Sequence, residues 1–239
     1  MCYSLSLLEP DTIQVRYAAR FPAHWEVSPS YYIGAYDLPE YPVLPDMDHS
    51  HFHITHWGLI PFWVKNSEDA EKIRKQTINA RSETLFEKPS FRLAVREHRC
   101  LVPADGFFEW RYYNGKNYPY YIHLRGHDVF SIAGIWDAWK EQVTGEEVFT
   151  FSVITCEANP LMARIHNKKK RMPVILPRDV EMQWLKHDLS ADDIRGLLQP
   201  FPEDEMEAYT ISKRVTSKTF ERNVSEVIEP YEYKELPTL

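Results

Sequence analysis

A cysteine at position 2 can do chemistry that no internal cysteine can. Cys2 follows the initiator methionine directly, in Met1-Cys2-Tyr3-Ser4. Once Met1 is removed, one residue carries both a free α-amine and a free thiol. The amine titrates near pH ~8 and the thiol near ~8.5, so each keeps a reactive fraction at neutral pH. Together they can capture an aldehyde: the amine forms an imine, and the thiol closes it into a five-membered thiazolidine. The default for such a position is a cysteine in a frayed chain end. Residues elsewhere in the chain have to decide between the two.

Five other stretches could work beside Cys2. Gly106-Phe107-Phe108-Glu109-Trp110 sets a carboxylate among aromatics. Strand alternation puts Phe108, Trp110 and Tyr112 on one face and Phe107, Glu109 and Arg111 on the other. Glu109 is then either an exposed acid paired with Arg111 or an acid in a cleft, where desolvation lifts its pKa towards general acid–base values. His166 ends a short predicted helix, as a partner of the helix dipole or as a proton carrier near neutral pH. Asn79-Ala80-Arg81 follows another predicted helix. It reads as a plain helix C-terminus, or as an amide that orients a reacting group beside a phosphate-binding arginine. Lys168 to Arg171 is the densest positive run, a solvated loop or a seat for a phosphodiester. Pro61-Phe62-Trp63 is a core cluster or, where exposed, a stacking platform for unpaired bases. His49, His51 and His53 share a face at period two, but no acid or cysteine cluster completes a shell. No metal and no cofactor is expected.

The elements that must hold these residues follow from patterning. The chain has 239 residues, 44% of them hydrophobic and 14% aromatic, enough to bury a sizeable core. Its net charge of -7 argues against a nonspecific coat for duplex DNA, though not against a local basic groove. Three cysteines without CxxC spacing argue against a disulfide framework and a structural zinc site and fit a reducing, cytoplasmic setting. The first ten residues lack the pattern of a signal peptide, and no apolar run is long enough to span a membrane. Asp37 to Ser50, rich in proline and acid, reads as a surface loop. Strands are predicted over 51–57, 99–103, 107–112, 118–124, 129–136, 148–156, 172–176 and 208–215, with Asn114-Gly115 as a hairpin turn. Helices are predicted over 67–78, 90–96, 160–165, 180–186 and 191–198, with Ser67, Asn159 and Ser190 as caps. Strands that cluster in the middle argue for an α+β single domain with a largely antiparallel, barrel-like curled sheet and flanking helices.

In this order, these pieces resemble the SOS-response-associated peptidase (SRAP) family of abasic-site processing proteins. The landmarks are Cys2, Trp57 to Trp63, Asn79 to Thr84, Arg99 to Pro103, Gly106 to Trp110, Phe130 to Trp136, Ile154-Thr155, Ile165-His166 and Arg171 to Leu176. The resemblance implies an SRAP-like domain over residues 1–233 with a short tail, 234–239. It implies single-stranded DNA carrying an abasic site as the partner, in the DNA damage response. Cys2 would attack the ring-opened sugar aldehyde. Asn79 would position the reacting groups, Glu109 would shuttle protons and assist Met1 release, and His166 would serve as acid–base in ring opening and crosslink reversal. Arg81 and Arg171 would hold phosphates, Phe62 and Trp63 would meet the bases, and Thr155 would join the DNA contacts. Peptidase-type release of Met1 and a DNA lyase-type activity belong to the same implication. This chain departs from the family pattern in having Tyr3-Ser4 where Gly-Arg is usual. Gly34 stands where an asparagine is common, and three more residues than usual separate His166 from Arg171.

Two rivals use the same residues. A thiol hydrolase would use Cys2, Glu109 and His166 to cleave a peptide or small amide. A noncatalytic single-strand binder would use Arg81, Lys168 to Arg171 and the aromatics, and would not need Cys2.

Overall fold

Alternating apolar and polar residues through the middle of the chain form long antiparallel strands, as that period requires. The structure is a computed structural model that describes residues 3–25, 28–217 and 219–239; Cys2 lies outside the described residues. The strands are β1 Ser4–Leu7, β2 Ser30–Gly34, β3 Glu40–Pro45, β4 His53–Trp57, β5 Asn79–Arg81, β6 Arg99–Ala104 and β7 Gly106–Tyr113. They continue with β8 Lys116–Leu124, β9 Phe130–Lys140, β10 Glu147–Glu157, β11 Arg171–Pro173, β12 Ile175–Leu176 and β13 Met206–Thr210. Six α-helices are found among the described residues: α1 Pro10–Tyr17, α2 Ser67–Arg74, α3 Ala94–Glu97, α4 Pro160–Ile165, α5 Glu181–Trp184 and α6 Ala191–Leu197.

Five strands close on themselves in the order β10-β4-β3-β6-β9, with β9 pairing back to β10. All these pairings are antiparallel except β4 with β10. The closed sheet has no free edge within the ring, which removes the exposed ladder that an open sheet must protect. Tyr41, Val43, Trp57, Leu101, Ile135 and Phe151 are fully shielded and belong to one apolar core. Trp57 stacks on Phe151 with ring centroids 5.6 Å apart. A second, wholly antiparallel sheet runs β13-β8-β7-β1-β2. Its β7–β8 hairpin turns at Asn114 and Gly115, with φ 45° and 79°. That pair of left-handed residues matches the strand twist and explains the Asn-Gly sequence. The predicted single α+β domain with a curled, barrel-like sheet is what the chain forms. No helix among the described residues is long and apolar enough to cross a membrane.

Several boundaries differ from expectation. The expected loop over Asp37 to Ser50 contains β3, and Tyr41 to Asp46 are buried. Its prolines mislead because a strand can lose a donor at Pro42 and Pro45, while Tyr41, Val43 and Leu44 supply the burial. The helix predicted to Ile78 stops at Arg74. Beyond it, Thr77 donates to the Leu59 carbonyl at 2.6 Å, and the Trp57 indole donates to the Ile78 carbonyl at 3.0 Å. These bonds pull the chain into the barrel, and Asn79–Arg81 becomes a strand parallel to β10. The cap of α2 is Asn66, not Ser67, accepting from the Asp69 amide at 2.8 Å. The helix predicted over 90–96 reduces to α3, and the late strand ends at Thr210. By contrast, α4 starts and ends where Asn159-Pro160 and His166 predict, with Asn159 accepting from Met162.

Candidate active site

Glu109 decides the character of the site. It lies on β7 and is only 4% exposed. Arg111, its expected exposed partner, turns elsewhere and donates to the Pro237 carbonyl at 2.7 Å. Of the two alternatives for Glu109, the structure has the acid held inside. Burial pushes its carboxyl up to about 7, because the charged form loses its hydration. A group with that pKa is protonated and ionised in comparable amounts at neutral pH, which suits it to pass protons in both directions.

Helix α4 brings His166 to the same place. His166 Nδ1 lies 3.7 Å from Glu109 Oε1, and 2.9 Å from the Arg171 carbonyl. Burial holds the imidazole down to about 4, so at neutral pH the ring is uncharged. The Glu109–His166 contact is therefore not an ion pair at pH 7, and 3.7 Å is too long for a hydrogen bond. The nearby carbonyl accepts the proton of Nδ1, which assigns Nε2 as the basic nitrogen.

Arg171 supplies that carbonyl and braces the site from behind. It is 6% exposed. Its guanidinium forms a two-point pair with Glu83, the longer bond 2.9 Å, and donates to the Thr155 carbonyl at 2.7 Å. Thr155 is fully buried, and its hydroxyl donates to the Ala80 carbonyl at 3.4 Å. The register Arg81 opposite Thr155 ties β5 into this network. Glu83 is the residue that sequence reasoning passed over: it follows Asn79-Ala80-Arg81 closely, but nothing in its spacing shows that Arg171 returns to it across 88 residues.

Asn79 sits opposite Val153 on β10. Both atoms of its amide are shielded from solvent and have no hydrogen-bond partner among the described residues. Leaving a buried amide unpaired costs about 1–3 kcal/mol. Arg81, two residues on, is exposed. It lines a cleft of about 470 Å³ together with Glu83, Thr84, Glu157, Lys169, Lys170 and Arg171. Four basic side chains against two acidic ones make this cleft positive in a chain of net charge -7. Phe62 and Trp63 are 54% and 46% exposed, in the segment that Thr77 and Trp57 tie to the approach to β5. They are not core residues.

Strand β1 reaches the same site through its register with β7. Ser6 lies opposite Gly106 and Leu5 opposite Phe107. Continued along an antiparallel pair, that register sets Tyr3 opposite Glu109. Burial pushes the Tyr3 phenol well up, and the charges of Glu109 and Arg81 both act on it. Elsewhere, Cys100 and Cys156 are buried, and burial pushes both thiols up, away from reactivity. Among the described residues no three His, Cys, Asp or Glu side chains group as metal ligands; His51 instead contacts Asp48 at 3.0 Å.

A barrel with a second antiparallel sheet, holding a buried acid, a neutral histidine and a basic cleft beside β5 and β11, is a specific combination. The chain belongs to the SOS response associated peptidase (SRAP) family, whose model matches residues 1–218. It is 42% identical over 177 residues to abasic site processing protein YoqW of Bacillus subtilis, covering 73% of this chain and 75% of that protein. It is 33% identical over 164 residues to abasic site processing protein HMCES of Xenopus tropicalis, covering 60% and 48% of the two chains. Among solved structures, a protein from Bacteroides thetaiotaomicron superposes with a TM-score of 0.91 at 38% identity, over 97% of this chain and all of that one.

Proposed function

We propose that this protein processes abasic sites in single-stranded DNA by covalent capture through Cys2, once Met1 has been removed. The observation that carries the proposal is Glu109: a buried carboxyl lifted to about 7, beside His166, on the strand whose register leads to the chain start. Relatives named for abasic site processing support the substrate. The ring-opened sugar offers an aldehyde. The Cys2 amine adds to it, giving a carbinolamine. Protonation of the hydroxyl releases water and leaves an imine. The thiolate then adds to the imine carbon, and the nitrogen takes a proton. One aldehyde and one cysteine thus give one thiazolidine and one water. Each proton transfer needs a group near its own pKa, and Glu109 is that group. Neutral His166 serves as base in ring opening, its tautomer set by the Arg171 carbonyl. Asn79, whose amide has no hydrogen-bond partner among the described residues, supplies it to the reacting sugar or amine.

Binding follows from the same geometry. Arg81 takes the phosphodiester in the basic cleft, and Phe62 and Trp63 stack on bases. Arg171 and Thr155 act through position: both terminal nitrogens of the Arg171 guanidinium are engaged by Glu83 and Thr155, and the Thr155 hydroxyl is bonded to Ala80. Removal of Met1 by peptidase-type chemistry, with Glu109 assisting, completes the proposal. A purified sample with Met1 absent by intact mass is mixed with single-stranded DNA carrying one abasic site. A denaturation-resistant adduct is expected, and none with Cys2→Ala. No adduct from the Met1-free protein would refute capture.

A further inference from the structure

Tyr36 is an aromatic ring held out beside the site. It is 63% exposed, more than Phe62 or Trp63. It is not loosely placed. It sits in a single 3-10 turn, Ala35–Asp37, whose first residue is fully buried. The Ala35 amide donates to the Tyr3 carbonyl at 2.8 Å, and the Leu38 amide closes the turn onto Ala35 at 3.1 Å. The Tyr36 ring packs on Tyr3 with centroids 4.8 Å apart and planes at 34°, and the two phenols are hydrogen-bonded. Tyr3 in turn lies within electrostatic reach of Glu109 and Arg81. One exposed aromatic is ordinary on a protein surface. A ring fixed by its backbone and by a second ring, next to the reacting groups, has a defined place relative to the substrate.

An abasic nucleotide has no base to stack. The nearest π-face in the DNA belongs to its neighbour. We propose that Tyr36 is a specificity-determining residue on which the nucleobase adjacent to the abasic nucleotide stacks. The inference rests on the single-stranded DNA reading above and deepens it. Stacking of this kind accepts every base, since each presents a π-face, so it selects for a neighbouring base being present and not for its identity.

The test is equilibrium binding of the full chain to two oligonucleotides, read by fluorescence anisotropy. One carries a single tetrahydrofuran residue, an abasic analogue with no aldehyde, flanked by normal bases. The other carries the same analogue with its immediate neighbours also replaced by tetrahydrofuran. Wild type should prefer the first by roughly tenfold or more, and Tyr36→Ala should lose roughly that factor on the first and nothing on the second. Tyr36→Phe, which keeps the ring and loses the phenol contact to Tyr3, should bind as wild type. Equal weakening of both oligonucleotides by Tyr36→Ala, no weakening of either, no wild-type preference, or a Tyr36→Phe that behaves like Tyr36→Ala would each overturn the proposal. Because the analogue cannot be captured, this result is independent of crosslinking. Failure of wild type to form an adduct with true abasic DNA would count against capture by Cys2 and not against Tyr36.

Discussion

Replacing Glu109 with glutamine should separate stability from function in one residue. The carboxyl rises from an ordinary 4.5 to about 7 on folding. A raised acid pKa means that the folded protein holds this proton more tightly than the unfolded chain. Its contribution to stability is therefore full below about pH 4.5 and is lost as pH rises through about 7. Between pH ~5 and pH ~8 that loss integrates to about 2–3 kcal/mol, taking ~1.4 kcal/mol per pKa unit. His166 works in the opposite direction, since its lowered pKa costs stability as pH falls. Wild type alone would thus show a blunted slope. The difference between wild type and Glu109→Gln isolates the carboxyl. Urea unfolding at a series of pH values should show the variant gaining on wild type by about 2–3 kcal/mol from pH ~5 to ~8. Over the same range its rate of adduct formation should fall by roughly 100- to 10,000-fold, the usual worth of a positioned acid–base group. A stability difference that stays flat with pH would show that Glu109 is not a buried acid of raised pKa. An unchanged capture rate would show that it does not move the protons.

Arg81→Ala should reduce the slope of log affinity against log salt for single-stranded DNA by about 0.7, the loss of one phosphate contact. Arg171→Gln should leave that slope unchanged and lower the melting temperature, because glutamine cannot reproduce the charged two-point contact with Glu83; a slope reduced by about 0.7 would instead make Arg171 a phosphate ligand. Trp63→Ala and Phe62→Ala should each weaken single-strand binding by about 1–3 kcal/mol. With roughly half of each side chain already exposed, unfolding stability should change by no more than about 1 kcal/mol. Asn167→Ala removes two hydrogen bonds to the Tyr112 backbone, of 3.1 and 2.8 Å; a loss of about 1 kcal/mol in unfolding free energy is expected at this exposed position.

The order of motifs made the family legible, and local signals made individual elements legible where they were strong. Asn-Pro before α4 and Asn-Gly between β7 and β8 each specify a backbone conformation by themselves, and both elements formed as read. The alternation around Glu109 gave the correct face, but not burial, because burial depends on what α4 and β1 bring across. β3 was hidden by prolines whose lost donors the barrel tolerates. β5 was hidden because a three-residue strand has no period of its own; only its pairing with β10 defines it. Likewise the sequence placed Arg171 next to a basic run and suggested a phosphate ligand. Its bonds to Glu83 and Thr155, which come from two other segments, could be seen only once the barrel had closed.

The segment from His166 to Arg171, three residues longer than the family resemblance implies, is folded back on itself beside Glu109. The amides of Lys169 and Lys170 both return to the His166 carbonyl, at 3.2 and 2.7 Å. Lys170 adopts φ 49°, a left-handed turn that reverses the chain into β11. The Lys170 carbonyl then accepts from Ala158, and the Arg171 carbonyl takes the His166 ring. On the outside, Asn167 bonds the Tyr112 backbone in both directions, and the Lys168 ammonium lies 3.6 Å over the Tyr112 ring. The insertion is therefore fastened at its tip to the strand that carries Glu109. With Lys168 held over Tyr112, the next two lysines line the basic cleft. The loop is thus fastened beside the Glu109–His166 contact and adds positive charge to the cleft that Arg81 lines.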